Sequence, residues 1–475
     1  MSTILDARWI STAVAIVVSA VAFYLSTGLG EVWPLAWLAP APVLWLAYRE
    51  PRGRVFLAGA AAFFLGSLNL FAFLSRIMPP PVVLTLLAMP ALVFGGIVLF
   101  AGRAARTVHP MAAVLAFPAA WTAYEFLLSL VSPHGTALSL AYSQAEVQPL
   151  LQVVSITGLW GLTFLVTLVP SAVALAVARG VTAPLGTAAG LVALVVAFGA
   201  LRLHQAPVPP MVRVGLAVTD RDIGRVFDTE DRATALAIAH GYRDRIAALS
   251  RDGARVVVLP EKMTGVTPAS GPEVAAVLAD QARLSHVTVV AGLNRVGIEP
   301  PRNVALVWMP DGRQMLEYDK HHMLPGPETG YLVGRQPGLF TAEGQAWGVA
   351  ICKDLDFQGW SRQYGDRGVR ILAVPAWDFI VDGRLHFRMA LVRSVENGFA
   401  MVRAAEQGLL TVSDGYGRIV ASAPSGTDPD ARLVADVPPG PGATFYTRGG
   451  DWFGWLSVVV AGAIGVSGVR LGRQR

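Results

Sequence analysis

Only one cysteine, Cys352, stands in 475 residues. An internal disulfide and a zinc site built on several cysteines are thereby excluded. Lysine is almost as scarce: of the 38 basic residues only Lys262, Lys320 and Lys353 are lysines, and arginine fills the other positions. Charge as a whole is thin, at 15% of residues, against about 25% in ordinary soluble proteins. With 53% hydrophobic residues and a mean hydropathy of +0.50, the chain is neither disordered nor a plain water-soluble enzyme.

The shortage of charge is confined to one part. Residues 1–203 hold 14 of the 71 charged residues, and the other 272 residues hold 57. This reads as a membrane half followed by a soluble half. The net charge of +5 does not point to nucleic acid, because the basic residues of the first half lie between apolar runs rather than on one face.

A spanning helix needs roughly 20 mainly apolar residues. Eight segments are candidates: about 9–27, 32–48, 55–74, 81–102, 110–131, 149–178, 184–203 and Trp452–Val469. The second is short and carries Pro34, Pro40 and Pro42. The sixth is long enough to tilt or to break near Gly158 and Gly161. The first reads as a retained span rather than a signal peptide, since no clear small-x-small cleavage site follows it. With the N-terminus inside, ten arginines (Arg8, Arg49, Arg52, Arg54, Arg103, Arg106, Arg179, Arg470, Arg473, Arg475) fall on the cytoplasmic side and two (Arg76, Arg202) outside. That asymmetry places the soluble half outside the cytoplasm, tethered to the membrane at both ends. Glu125, in the fifth segment, is expensive at a bilayer centre. It reads as a substrate-facing or helix-fixing carboxylate, or as an interfacial residue.

From Val212 onward, short β-branched strands alternate with helical stretches, the pattern of an α/β sandwich. Asn303–Met309 and Arg313–Tyr318 flank Pro310-Asp311-Gly312, a turn signal, and so predict a hairpin. Residues 204–211 and the Pro/Gly-rich stretch Pro438–Gly442 read as linkers.

Each lysine lies in a motif at a strand end: VVVLPEKM, EYDKHHMLPGPE and ICKDLDF. A lone thiol is by itself consistent with a small buried hydrophobe. Lys353 and Asp354 follow it directly, however, and charges beside a nucleophile tune its ionisation. Glu261, Lys320 and Cys352 together form a complete acyl-transfer set. The thiol attacks a carbonyl, the carboxylate takes its proton, and the ammonium stabilises the oxyanion. His321 and His322 make a poor metal pair, since adjacent side chains on a strand point apart.

LPE…YDKHHMLPGPE…ICKD resembles the Glu–Lys–Cys triad of the nitrilase (carbon–nitrogen hydrolase) superfamily. The whole layout, together with LSLAYSQAEVQPLLQVVSITGLWGLTFLV (138–166) and WTAYE around Trp121 and Glu125, resembles the apolipoprotein N-acyltransferase family. The resemblance implies a polytopic α-helical membrane domain (1–203), a linker (204–211), an extracytoplasmic nitrilase-like αββα sandwich (212–440) and a C-terminal transmembrane helix with a basic tail (441–475). It implies that Cys352 is the acylated nucleophile, Glu261 the general base and Lys320 the oxyanion or orienting group. Glu328 matches an assisting glutamate, Asp354 and Lys353 are supporting residues, and His386, Glu396 and Arg403 are scaffold. The expected substrates are a phospholipid acyl donor and a lipoprotein acceptor in the bacterial inner membrane, with no cofactor and no metal.

The chain departs from the family's pattern at several points. It has Cys352-Lys353-Asp354 where Cys-Tyr-Glu is common. It has Val218-Thr219-Asp220 in place of glutamine-glycine-asparagine, and Glu406-Gln407-Gly408 in place of asparagine-threonine-glycine. The expected lid tryptophan has no clear counterpart near Arg225–Asp228. Two alternatives therefore stay open: a membrane-tethered amidase or nitrilase whose thioester is resolved by water, and a catalytically silent binding subunit.

Overall fold

The computed structural model describes residues 2–50, 53–204, 210–219, 228–428 and 430–472, without the side chains of residues 2–8, 471 and 472. Arg52, linker residues 205–209, Asp220, Arg225, Arg473 and Arg475 lie outside the described residues, as does the side chain of Arg8. The chain divides into two compact units, Met1–His204 with Asp451–Arg475, and Gln205–Gly450.

The first unit is helical: α1 (Ser2–Ser26), α2 (Ala41–Arg49), α3 (Gly53–Ser67), α4 (Pro80–Thr107), α5 (Pro110–Ser129), α6 (Leu159–Arg179), α7 (Ala183–His204) and the C-terminal helix Trp452–Gly472. Among the described residues, seven helices are long and apolar enough to cross a membrane, and segment 32–48 is not one of them. The expectation of a continuous helix there is corrected. Trp33–Trp37 is a 3₁₀ turn and α2 has nine residues, a rise of only about 13 Å. Pro34, Pro40 and Pro42 explain the break, since proline carries no amide hydrogen for the helical ladder.

The broken segment still joins both ends of the helical unit. At one end Trp37 Nε1 donates to Gln144 Oε1 (2.8 Å), and Gln144 Nε2 donates to the Trp33 carbonyl (3.1 Å). At the other, Arg179 Nε donates to the Tyr48 carbonyl (3.0 Å) and Arg106 donates to that of Arg49. The sixth segment breaks at Gly158 (φ +63°), where α6 begins. Both connections to the second unit leave from the Gln144 end. Close to the end of α7, Gly199 lies so near Pro149 that a Cβ there would sit 1.9 Å from the Pro149 carbonyl oxygen. The C-terminal helix starts where Trp160 Nε1 donates to Asp451 Oδ1 (2.7 Å) and Trp452 Nε1 to the Ile156 carbonyl (2.8 Å).

The second unit is a two-sheet sandwich. Its strands are β1 (Val212–Ala217), β2 (Val256–Val258), β3 (Gly265–Val266), β4 (Thr288–Arg295), β5 (Arg302–Trp308), β6 (Gln314–Asp319), β7 (Gly338–Ala342), β8 (Gln345–Val349), β9 (Ile371–Trp377), β10 (Ala400–Glu406), β11 (Leu409–Ser413), β12 (Ile419–Pro424) and β13 (Arg432–Val437). One sheet has the order β13-β1-β2-β4-β5-β6, with β3 on β4; the other runs β12-β11-β10-β9-β8-β7. Val214, Val256, Val258 and Val307 from the first pack with Val349, Leu372, Val374 and Val402 from the second in one buried core. Helices α8 (Arg232–Arg251) and α9 (Gly271–Ser285) bury Ala239, Ile246, Val274 and Leu278 against the outer face of the first sheet. Helices α10 (Gln358–Asp366) and α11 (Gly383–Asn397) belong to the second sheet's side, giving αββα layers. The expected hairpin is present as β5–β6, antiparallel.

Candidate active site

The central strands end together. β2 runs parallel to β1 and β4, and β8 runs parallel to β9. Glu261 follows β2 after Leu259 and Pro260, and its backbone N–H donates to the Ala376 carbonyl of β9 (3.4 Å), linking the two sheets. Lys320 is the first residue after β6, and Cys352 comes three residues after β8. Three strand ends therefore meet at one edge of the sandwich, the usual place for a site in such folds.

The carboxylates and ammoniums form a closed cluster. Lys320 Nζ donates to Glu261 Oε1 (2.7 Å) and to Glu328 Oε2 (2.9 Å). Asn303 Nδ2 bridges the same two acids, donating to Glu261 Oε1 (2.6 Å) and Glu328 Oε1 (2.7 Å). Lys262 Nζ lies 2.9 Å from Glu328 Oε1, and Leu324 N–H donates to Glu328 Oε2 (2.7 Å). All five side chains are buried. Burial works against the Lys320 ammonium, but Glu261, Glu328 and Cys352 outweigh it and hold Lys320 well above the ordinary lysine range. Burial likewise opposes ionisation of Glu328, and Lys320 and Lys262 override it, holding the carboxyl below its usual value.

Cys352 is half-buried and opens a 3₁₀ turn with φ +41°, a left-handed conformation that is strained for a side chain with a Cβ. Its thiol donates to the Trp377 carbonyl (3.4 Å). Burial pushes the thiol well above the normal cysteine range. Glu261 and Asp378 add to that, and Lys320 and Arg403 oppose it. The resting sulfur is therefore protonated at neutral pH and needs a base to become a nucleophile.

Asp354 holds the strained turn. It accepts from Ile351 N–H (2.9 Å), the Tyr318 hydroxyl (2.6 Å), His321 N–H (3.2 Å) and His322 N–H (2.8 Å). It thus ties the Cys352 turn to the segment carrying Lys320. The expectation that Lys353 and Asp354 tune the sulfur directly is corrected: Asp354 binds backbone and tyrosine, and Lys353 pairs with Asp356 (2.9 Å). The histidines also differ from expectation. They lie past the end of β6, with ring centroids 4.3 Å apart, and stack on Trp360 (His321) and Phe357 (His322). Arg403 forms a buried two-bond pair with Asp378, and Arg393 donates to Glu396, consistent with scaffold.

Sequence reasoning missed Asn303 and the placement of Lys262. An asparagine inside an apolar strand, NVALVW, was the available signal for the first, because a buried amide needs partners.

Residues 19–172 match the family model described as apolipoprotein N-acyltransferase N-terminal domain, and residues 225–441 that of carbon-nitrogen hydrolase. A Geobacter metallireducens protein named apolipoprotein N-acyltransferase is 26% identical over 497 aligned residues, covering 94% of this chain and 93% of its own. Its namesake from Azotobacter vinelandii is 27% identical over 482, covering 91% and 90%. A solved amidase variant of the nitrilase superfamily from Nesterenkonia aligns at 19% identity and a TM-score of 0.42, covering 49% of this chain and 93% of that one. With two matched domains, relatives aligned end to end and seven long apolar helices, this is a multi-pass bacterial membrane protein. The chain belongs to the apolipoprotein N-acyltransferase family.

Proposed function

We propose that this protein transfers a fatty acyl chain from a membrane phospholipid, through a thioester on Cys352, to the N-terminal amine of a diacylglyceryl-cysteine lipoprotein. The observation that carries this reading is the contact of Glu261 with Lys320 at the strand-end edge that also bears Cys352, where both charges act on the thiol. Glu261 takes the thiol proton as the sulfur attacks the ester carbonyl, and Lys320 stabilises the oxyanion. The ester C–O bond breaks, the proton passes to the departing lysophospholipid oxygen, and the acyl–sulfur bond remains. In the second half the acceptor amine forms the C–N bond, the C–S bond breaks, and Glu261 carries the amine proton to the sulfur. Glu328 and Asn303 hold Lys320 and Glu261 in place, and Asp354 holds the Cys352 turn.

Residues 212–440 are the catalytic domain in this reading, and they face the periplasm. Support comes from the helical unit: Arg49, Arg106 and Arg179 gather at one end, and both tethers of the catalytic unit leave from the other. Both substrates are then anchored in the outer leaflet, and each buried methylene of an acyl chain contributes about 0.8 kcal/mol of binding.

The test uses purified full-length protein and a fluorescent phospholipid. The acyl adduct is expected on Cys352, persisting until a diacylglyceryl-peptide amine is added. Cys352→Ser is expected to yield neither adduct nor product, because an alcohol ionises far less readily than a thiol. An adduct that disappears at the same rate without the amine would favour the water-resolved hydrolase instead.

A further inference from the structure

Of the three lysines, Lys262 is the one to which the Glu261–Lys320–Cys352 set gives no task. It follows Glu261 directly and has φ +47°, a left-handed conformation unfavourable for a long side chain. In an extended strand, neighbouring side chains point to opposite faces. Here the left-handed residue breaks that alternation. Glu261 and Lys262 both turn into the cluster around Glu328, Glu261 through the shared donors Lys320 and Asn303, and Lys262 directly at 2.9 Å.

The turn is clamped from behind by β4. Gly292 N–H donates to the Pro260 carbonyl (3.1 Å) and Met263 N–H donates to the Gly292 carbonyl (3.0 Å). A Cβ at position 292 would sit 2.6 Å from Glu261 Cα, so only glycine admits the turn. The Lys262 ammonium also lies 4.7 Å from the centre of the Tyr331 ring, and its side chain is 7% exposed. A strained backbone that delivers a buried cation to the carboxylate holding Lys320 points to function rather than to packing alone.

The charge count gives the cation a purpose. Glu261 and Glu328 bring two negative charges, and Lys320 and Lys262 bring two positive ones. Without Lys262 the cluster keeps one net negative charge next to a sulfur that must itself become negative. We propose that Lys262 is a positioning residue: it holds Glu328 through Oε1 and balances the cluster's charge, so that Cys352 can yield its proton to Glu261. This rests on Cys352 being the nucleophile and not on the identity of acyl donor or acceptor.

Iodoacetamide alkylation of Cys352, followed by intact mass against pH, tests this cleanly because the chain has one cysteine. The groups acting on the sulfur are Glu261, Lys320, Asp378 and Arg403, and all are left unchanged in the variants. Lys262→Met is expected to alkylate about tenfold more slowly at pH 7, with its midpoint about one pH unit higher, the scale of a nearby partly screened charge. Lys262→Arg keeps the charge and is expected to restore the wild-type midpoint. The double variant Lys262→Met with Glu328→Gln removes one charge of each sign and is also expected to return to it. It replaces the single variant if that one does not fold. A wild-type profile for Lys262→Met, an equal shift in Lys262→Arg, or a double variant that stays displaced would each overturn the proposal. Failure of the wild-type protein to transfer a phospholipid acyl chain would instead remove the acyltransferase reading and leave the alkylation result standing.

Discussion

Two carboxylate sites, half-buried Glu125 in the helical unit and buried Glu261 with Glu328 in the sandwich, differ in the partners that surround them. In the helical unit Glu125 receives four neutral donors: Trp121 Nε1 (2.9 Å), Ser139 Oγ (2.5 Å), Leu140 N–H (3.0 Å) and Thr163 Oγ1 (2.9 Å). Among the described residues it makes no ion pair. It pins α5 to the loop at 139–140 and to α6, which is the helix-fixing reading. In the sandwich, Glu261 and Glu328 receive two ammoniums and an amide, and the charges of Glu261 and Lys320 act on the Cys352 thiol. Buried donors are common to both sites, so burial alone does not mark function. What differs is the partner: neutral donors satisfy a carboxylate, whereas charged, titratable partners couple it to proton transfer.

The largest effect that tests this contrast is expected from Glu261→Gln. The amide still accepts a hydrogen bond from Lys320 but takes no proton from sulfur. Acylation of Cys352 by phospholipid is expected to slow by about 10²–10⁴-fold, the range for loss of a general base. The time course of the adduct mass measures it. A near-wild-type rate would place Glu261 with Glu125 among the scaffold residues.

The layers and the strand-end placement of Glu261, Lys320 and Cys352 were legible because both rest on local signals. Period-two strands and a Pro-Asp-Gly turn declare the hairpin, and scarce residue types (one cysteine, three lysines) declare the strand-end motifs. What was not legible depends on conformations that sequence patterns do not encode. The side-chain direction of Lys262 follows from a left-handed backbone, and alternation along a strand would have sent it to the opposite face from Glu261. Asp354 looked like a charge aimed at sulfur because it is two residues away, yet the 3₁₀ turn points it back to Ile351 N–H. Segment 32–48 has the hydropathy of a span, but its prolines divide it into a 3₁₀ turn and a nine-residue helix.

Glu125→Ala tests the other half of the contrast. It strands four buried donors, and unsatisfied donors cost about 1–3 kcal/mol each before the structure relaxes. Thermal unfolding of the full chain in detergent is expected to show a loss of about 3 kcal/mol. The pH profile of Cys352 alkylation is expected to stay in place, and a displaced profile would show that this carboxylate also acts on the chemistry.

The smallest effect concerns a pair that lies between the two types. His386 Nε2 lies 3.0 Å from Asp382 Oδ2, and the other Asp382 oxygen accepts from Phe379 N–H (2.7 Å), just before α11. Burial works against the imidazolium, but Asp382, Asp378 and Asp356 outweigh it and raise the histidine to about 9. A free histidine titrates near 6.5. A group whose value rises on folding stabilises the fold fully below its unfolded value and loses that contribution as pH climbs to the folded one. The second unit is therefore expected to lose roughly 2–3 kcal/mol between pH 6.5 and 9 through this pair. Unfolding measured across that window is expected to fall more steeply for the wild type than for His386→Asn, whose amide keeps a hydrogen bond to Asp382 but does not titrate. Parallel curves would mean that the ion pair contributes no more than Glu125's neutral donors do, and that only the Cys352 cluster couples burial to protons.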